Sequence, residues 1–482
     1  MTLITIREIV GAPEGAPNAE VSFDHGTPYL ATVRDPFGEE EEKLLRWYFE
    51  QHLAYPFLDR EKASRAAASI PTYGEALFRQ VFRELARADY TVARAPGLAG
   101  LQFEIEGTPE FHALHWEALK DPDVTGPFAL ECPFVRKSRE RAALKARVRP
   151  SPTLNVLVVV ARPRGRRDVG YRTITRPLVD SLKKTGLPVR IDILRPGTYE
   201  ALARHLDEMR SPEGGFYHIV HFDAHGALMK HEQYEASIET DRFTYRQRGF
   251  DLEEIKPFEG RRAFLFLEGS GDRPVEPVEA SELAGLLSTQ QVPVVVLNAC
   301  QSGMEVGAPK EGAPETGVPK PGASETSLAN RLIAGGVQVA VGMSYSVTVS
   351  AAELLMTRLY RELFAGSELG DALRRGRWEL SKQKRRRAYH NQFIDLEDWL
   401  LPVAYQNQPA RFALREFTPA EREEFFKSEA HAFPFPEPAY GFFGRDLDVL
   451  EIEKRLLSPD GGPRNLLLVR GMGGAGKTTL LR

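Results

Sequence analysis

Two short segments set nucleophile and base chemistry beside glycine. In PVVVLNACQSGM (293–304) an apolar run delivers Cys300 into Gln-Ser-Gly, and in YHIVHFDAHG (217–226) another delivers His225 onto Gly226. A thiol is mostly protonated at neutral pH, but a nearby imidazole lowers its pKa and yields the thiolate that attacks a carbonyl. A turn that follows a strand leaves backbone N–H groups for a tetrahedral oxyanion, and Gly226, lacking a Cβ, admits close backbone approach. Acyl transfer by a Cys–His dyad is therefore one reading. The other is that Cys300 is a small buried hydrophobe. His218 and His221 compete with His225, but both fall inside the strand, where a sheet buries them. His221 and His225 also have a metal-like spacing. It suits a helical face better than a strand, and no second ligand pair accompanies it, so zinc is disfavoured.

The elements that must position these residues alternate. NVLVVVA (155–161) is a continuous apolar run, as expected of a strand covered on both faces. VRIDILRP (189–196), YHIVHF (217–222), PVVVLNA (293–299) and VQVAVGM (337–343) read as further strands. RTITRPLVDSLKKTG (172–186), TYEALARHLDEM (198–209), SELAGLLST (281–289), SLANRLIAGG (327–336) and AAELLMTRLYRELFAG (351–366) read as the helices between and after them. This alternation predicts an α/β fold built on a mostly parallel sheet. In such sheets ligands bind beyond the carboxyl ends of the strands, where His225 and Cys300 both fall. If their strands are neighbours, the two side chains face each other.

Residues 1–150 mix strands and helices and predict an α+β N-terminal part. GEEEEKLLRWYFEQHL (38–53) and GEALFRQVFRELARA (74–88) have helical period, the first with its glutamates at the positive end of the helix dipole. LQFEIEG (101–107) alternates like a strand. Residues 230–276 read as a charged insertion with a hairpin around RAFLFLE (262–268). Residues 307–326 form four pentads rich in Gly and Pro, so the stretch 304–326 should be a disordered surface loop. FPFPEPAYGFFGRD (433–446) is proline-rich, and we assign 413–440 to a linker. At 482 residues the chain exceeds the size at which one core keeps growing, so about two to four domains are expected.

Bulk properties exclude several classes. A net charge of -4 argues against a general nucleic-acid surface. Two cysteines build no disulfide framework, which fits a reducing compartment. The start, MTLITIREIV, lacks the apolar core of a signal peptide, and no run long enough to span a membrane appears. A cytoplasmic setting follows as the expectation. Two basic runs remain. KQKRRRAY (382–389) reads as a solvated helix end, with a nucleic-acid or acidic-partner contact as its rival. RPRGRR (162–167) follows the first core strand and stands near Cys300, where it would meet an acidic substrate residue if it is more than a solvated loop.

HFDAHG and VVLNACQSG, followed by SLANRLIAGGVQVAVGMSYSV and DWLLPVAYQN (398–407), resemble the CHAT domain, one of the caspase-like cysteine peptidases that include separases and gingipains. FHALHWEALKDPD (111–123) is similar to the family's LPWELLYDP segment and LRWYFEQHLAYP (45–56) to its early helix, so the resemblance covers about 40 to 410. It implies a caspase-like core over 151–412, with the N-terminal α+β part as its extension. It implies Cys300 as nucleophile and His225 as general base and then acid. The amides of Gly226 and Cys300 would form the oxyanion hole. Met343, Ser344 and Tyr345 would receive a peptide or protein substrate by β-addition. The dyad needs no cofactor. The chain departs from the family at Tyr345-Ser346, where Trp-Pro is common, and at His115, where a proline is common. Both departures bear on substrate preference. A caspase-like linker would be cut after the nucleophile's turn, which makes Lys310 and Lys320 candidate processing points within 304–326. The non-enzymatic alternative is a silent caspase-like platform for a signalling protein.

The last residues, NLLLVRGMGGAGKTTLLR, hold Gly471-x₄-Gly476-Lys477-Thr478, the pattern of a phosphate-binding loop. With GFFGRDLDVLEIEKRLL (441–457) upstream, residues 441–482 resemble the entry to a STAND-type signalling NTPase. The resemblance implies ATP and Mg²⁺ as ligands of the complete module, which would regulate the peptidase and could drive oligomerisation. Since the Mg²⁺-holding acidic strand does not follow, we expect a truncated module that is not functional by itself.

Overall fold

The computed structural model describes residues 1–13, 15–53, 55–139, 148–163, 188–209, 215–232, 261–269, 275–299, 327–388, 392–412, 414–430, 448–449, 452, 456, 468–473 and 476–480. Cys300, the loop 304–326, the helix expected over 172–186 and nearly all of 441–457 lie outside these residues. So does Thr478 as far as its side chain is concerned.

The apolar runs make one large sheet. Its strands are β1 (Thr2–Glu8), β2 (Ala19–Phe23), β3 (Tyr29–Ala31), β4 (Leu101–Gly107), β5 (Phe134–Ser138), β6 (Leu154–Val160), β7 (Val189–Leu194), β8 (Ile219–Asp223), β12 (Val294–Asn298), β13 (Val339–Met343) and β16 (Pro402–Gln406). They lie in the order β3-β2-β1-β4-β5-β16-β13-β12-β8-β6-β7. From β13 to β7 every neighbouring pair is parallel. β16 then runs antiparallel to β13 and parallel to β5, so a second parallel block, β16-β5-β4-β1, points the other way. This is the mostly parallel α/β sheet that the alternating pattern predicts, and the N-terminal strands continue it.

Both faces are covered, which is why the central strands are buried along their length and apolar at most positions. On one face Val158, Ile219, Val296 and Val341 belong to the same core as buried residues of the Glu39–Glu50, Arg60–Val81, Val349–Phe364 and Leu369–Lys382 helices. On the other, Val159, Val220, Leu297 and Ala340 meet the Tyr199–Met209, Ala280–Thr289 and Leu328–Ala334 helices. Odd and even positions of each strand thus serve different cores.

Some segments differ from the sequence reading. The residues expected to form one helix over 74–88 belong to two, Arg60–Val81 and Glu84–Arg94. The break lets Phe82 join the buried aromatic group of Phe78 and Tyr90, with ring centroids 4.8 Å apart in each pair. Gly74, where the expected helix begins, lies inside the first helix, as does Pro71. Gly74 is there for packing, since a Cβ on it would stand 1.8 Å from the Ala118 carbonyl oxygen. Gly74→Ala is expected to cost about 1–3 kcal/mol by overpacking; equal denaturation midpoints for the two proteins would refute that contact. The hairpin expected around RAFLFLE is present as β10 (Arg261–Glu268) paired antiparallel with β11 (Val275–Glu279), and β9 (His225–Lys230) joins it as a third strand of a separate sheet. KQKRRRAY is only in part the solvated helix end expected: Lys382, Arg385 and Arg387 are exposed, but the helix does not extend through the run. The helix stops at Lys382, and Arg385–Arg387 forms β14 of a hairpin with β15 (Phe393–Asp395). Arg386 is buried there against Asp398 because alternation in the strand turns it inward. The stretch assigned to a linker carries the Pro419–Ala430 helix.

Candidate active site at the strand tips

The two segments that opened the sequence analysis are neighbours. β8 and β12 pair in parallel from Ile219↔Val294 to Asp223↔Asn298. His225 follows Asp223 by two residues, as Cys300 follows Asn298, and adjacent strands lie about 5 Å apart. The register therefore ends both strands on one rung, Asp223↔Asn298, at the same end of the sheet, two residues before His225 and two before position 300, which lies outside the described residues. Ala299, next to Cys300, is buried. His225 is half-buried and does not sit in a plain turn as expected: it opens β9, where it faces Phe266, and Gly226 faces Leu265.

Below the tips lies a buried polar group that the sequence reading missed. Asp223 accepts from Arg162 Nη2 at 2.6 Å through one carboxylate oxygen and from Asn298 Nδ2 at 3.2 Å through the other. Arg162 Nη1 also donates to the Asp223 carbonyl at 2.7 Å, and the Arg162 amide donates to Glu268 Oε1 at 2.9 Å. The Arg162 side chain is 4% exposed. The first arginine of RPRGRR is thus spent inside the protein and not on a substrate, while residues 164–167 lie outside the described set. Three strands, β6, β8 and β12, are tied at their ends by one buried ion pair and its hydrogen bonds. A signal existed in the sequence: β8 and β12 end on polar residues, Asp223 and Asn298, and Arg162 stands two residues past the end of β6.

The rival histidines are engaged elsewhere. His218 Nδ1 accepts the Asn155 amide at 3.0 Å, and Nε2 lies 2.8 Å from the Arg149 carbonyl, so Nε2 carries the proton. Burial lowers its pKa. His221 is sealed in the core against Tyr360, with Nδ1 2.9 Å from the hydroxyl, and burial pushes its pKa down to about 4. Neither is available to a substrate.

The expected substrate strand is firmly held. On its β16 side Met343 pairs with Pro402, and the Ser344 amide donates to the Leu401 carbonyl at 2.9 Å. Met343 and Tyr345 bury their side chains, while Ser344 is half-buried. Tyr345 stacks on Phe49 with centroids 5.2 Å apart. The two departures from the family pattern acquire a physical reason here. The Ser346 amide donates to Glu50 Oε1 at 3.0 Å, and the His115 amide donates to the Tyr73 hydroxyl at 3.0 Å. A proline at either position has no N–H to give. The His115 ring also lies 2.9 Å from Glu42. Burial by itself would lower its pKa, but Glu42 and Asp35 outweigh burial and raise it. The Glu39–Glu50 helix thereby grips both departures from one face.

The LHWEAL segment is a structural brace. Trp116 is fully buried and donates to the Phe111 carbonyl at 2.7 Å. Glu117 accepts from Arg136 Nε at 3.0 Å and lies 3.7 Å from Arg377 Nη2.

Near the C-terminus, Gly476 has φ 76, a left-handed conformation that favours glycine. Lys477 opens a short helix, and its ammonium donates to the carbonyls of Gly471 and Met472 at 2.7 Å each. The strand expected as NLLLV falls mostly outside the described residues, and Leu468–Arg470 carry no strand. No described helix is long and apolar enough to cross a membrane.

A chain in the crystal structure of the Saccharomyces cerevisiae separase–securin complex at 3.0 Å resolution matches with a TM-score of 0.35 and 13% identity. That match spans 64% of this chain and only 16% of the other. A structure described as a protease matches with a TM-score of 0.38 and 10% identity, over 71% of this chain and 75% of that one. Likeness at this level assigns no activity. Comparison with curated proteins gives no match. The CHAT domain family, by contrast, matches residues 71–414, which hold β8, β12, β13 and the brace around Trp116. The chain belongs to the CHAT domain family.

Proposed function

We propose that the protein is a cysteine endopeptidase in which Cys300 and His225 form the catalytic dyad. The observation that carries this reading is the β8–β12 register ending at Asp223↔Asn298, which sends positions 225 and 300 off adjacent strand tips. His225 takes the thiol proton, and the thiolate attacks the peptide carbonyl. The amides of Gly226 and Cys300 hold the oxyanion. His225 then protonates the leaving amine, and water, deprotonated by the same imidazole, releases the acyl group. The substrate backbone lies along Met343, Ser344 and Tyr345, a segment that β16 and the Glu39–Glu50 helix keep in place. A peptide-library cleavage profile of wild type against Cys300→Ala tests the assignment. All cleavage should disappear in the variant, and an unchanged profile would refute it.

Asp223 is a positioning residue in this proposal. It fixes the tip of β8 through Arg162 and the tip of β12 through Asn298. Asp223→Asn keeps the size and removes the charge. Because small misplacement of a catalytic group is costly, kcat should fall by roughly 10²-fold with little change in KM. A role in stability alone would lower the fraction folded and leave turnover per folded molecule intact; that split decides the matter.

The same proposal takes 471–478 as a phosphate-binding loop of a following signalling NTPase that regulates the peptidase. Gly476 has nothing within 4 Å of a Cβ position, and Lys477 is already drawn over the loop by its two carbonyl contacts, which fits a phosphate cradle. ATP would bring phosphates to that cradle and Mg²⁺ a charge for the Thr478 hydroxyl.

A further inference from the structure

An open cleft of about 720 Å³ separates the Val349–Phe364 helix from the end of the Leu369–Lys382 helix and the β14–β15 hairpin. Ser350, Glu353 and Thr357 line one wall. Their spacing of three and four residues puts them on a single helical face. Lys382, Lys384, Arg385 and Arg386 line the other. Two of these cations are already used within the protein. Lys384 pairs with Glu397 at 2.7 Å, and buried Arg386 donates to Asp398 at 2.8 Å.

Lys382 and Arg385 differ. Both are exposed, and among the described residues neither has a carboxylate in ion-pair reach. Each head lies over a ring instead, Lys382 5.4 Å from the Trp378 centroid and Arg385 4.6 Å from that of Phe393. These rings are themselves 42% and 54% exposed. Two cations without counter-charge, each steadied by a solvent-facing aromatic ring, make an anchor of the composition that interfaces favour.

The facing wall selects among polyanions. Glu353 has no cation partner among the described residues, and burial raises its pKa. Asp395 also lines the cleft. A nucleic-acid backbone carries only phosphates along its edge and would meet both carboxylates repulsively. A peptide carries carboxylates on its side chains and N–H donors on its backbone, so it satisfies both walls together. We propose that this cleft binds an acidic peptide segment, with Lys382 and Arg385 holding its carboxylates and Glu353, Ser350 and Thr357 receiving its backbone. The helix that bears Ser350 begins directly after the loop following β13, so a chain seated here runs beside the strand tips without needing the dyad.

The test is fluorescence anisotropy on the full chain with three labelled probes: a Glu/Gly-alternating peptide, its Gln/Gly counterpart, and an oligothymidylate of the same charge. The Glu peptide should bind at least about tenfold tighter than either other probe, and added salt should weaken it. The double reversal Lys382→Glu, Arg385→Glu changes exposed side chains and should leave the unfolding midpoint unaltered while removing this preference. Equal binding of the two peptides, tighter binding of the oligonucleotide, or undiminished binding by the double variant would each overturn the proposal. The readout is independent of turnover, so it stands or falls separately from the dyad.

Discussion

Replacing Cys300 by alanine should lower peptide cleavage by about three orders of magnitude or more, with the fold retained. The change removes one sulfur and keeps the backbone that joins β12 to the following loop, so the β8–β12 register has no reason to move. His225→Ala should be nearly as damaging near neutral pH but different in form. Without the imidazole, Cys300 ionises with the pKa of an unassisted thiol, about 8.5, so residual activity should climb as pH rises through that value. On the proposed dyad, in which His225 generates the thiolate, wild type should not show that climb. A pH–rate profile of the two proteins checks this. Parallel profiles would mean that His225 is not the base.

Removing Glu117 should be the most damaging single change to stability. Arg136 and Arg377 both face it, and all three side chains are buried. Burial would raise the Glu117 pKa, but the two guanidinium groups outweigh burial and hold it below the usual carboxylate range. Arg377 shows the strain of the arrangement: burial and the like charge of Arg136 bring its pKa down to about 10 even beside Glu117. Glu117→Gln leaves two buried cations without a counter-charge and should cost about 3–5 kcal/mol. The sign with pH follows. A folded-state pKa below the unfolded one contributes stability that is complete above about pH 4.3 and is lost as pH falls through the folded value. The variant should therefore lose less stability on acidification than wild type does. Urea denaturation at pH 7 and pH 3 measures both effects; a difference below about 1 kcal/mol at pH 7 would show that the triad is not a brace.

How much of this was readable in the sequence depends on the physical range of each signal. The core strands were legible because burial on both faces forces continuous apolar runs, and Leu101–Gly107 was found to the residue. The order of the sheet was not. The reversal at β13–β16 depends on contacts between residues 59 to 67 positions apart, and no local pattern records it. The helix expected to begin at Gly74 in fact begins at Arg60, and the close approach of Ala118, which no local pattern records, is what demands the glycine. At the site, burial separates the rival histidines from His225: His221 lies inside β8 and is buried as expected, whereas His218 stands one residue before the strand and is buried all the same. Arg162 was misjudged for the converse reason. An arginine-rich run looks solvated, yet its first member completes a buried pair with Asp223, sixty-one residues away.

The central claim is that His225 activates Cys300 across two adjacent strand tips. Its most direct test is covalent capture by a peptidyl acyloxymethyl ketone at pH 7, with the modified residue located by peptide mapping. Cys132 serves as the internal control, since it is buried and burial raises its pKa strongly. The account predicts rapid modification of Cys300 alone in wild type and a large loss of rate in His225→Ala. An unmodified Cys300, or the same rate with and without the imidazole, would contradict it.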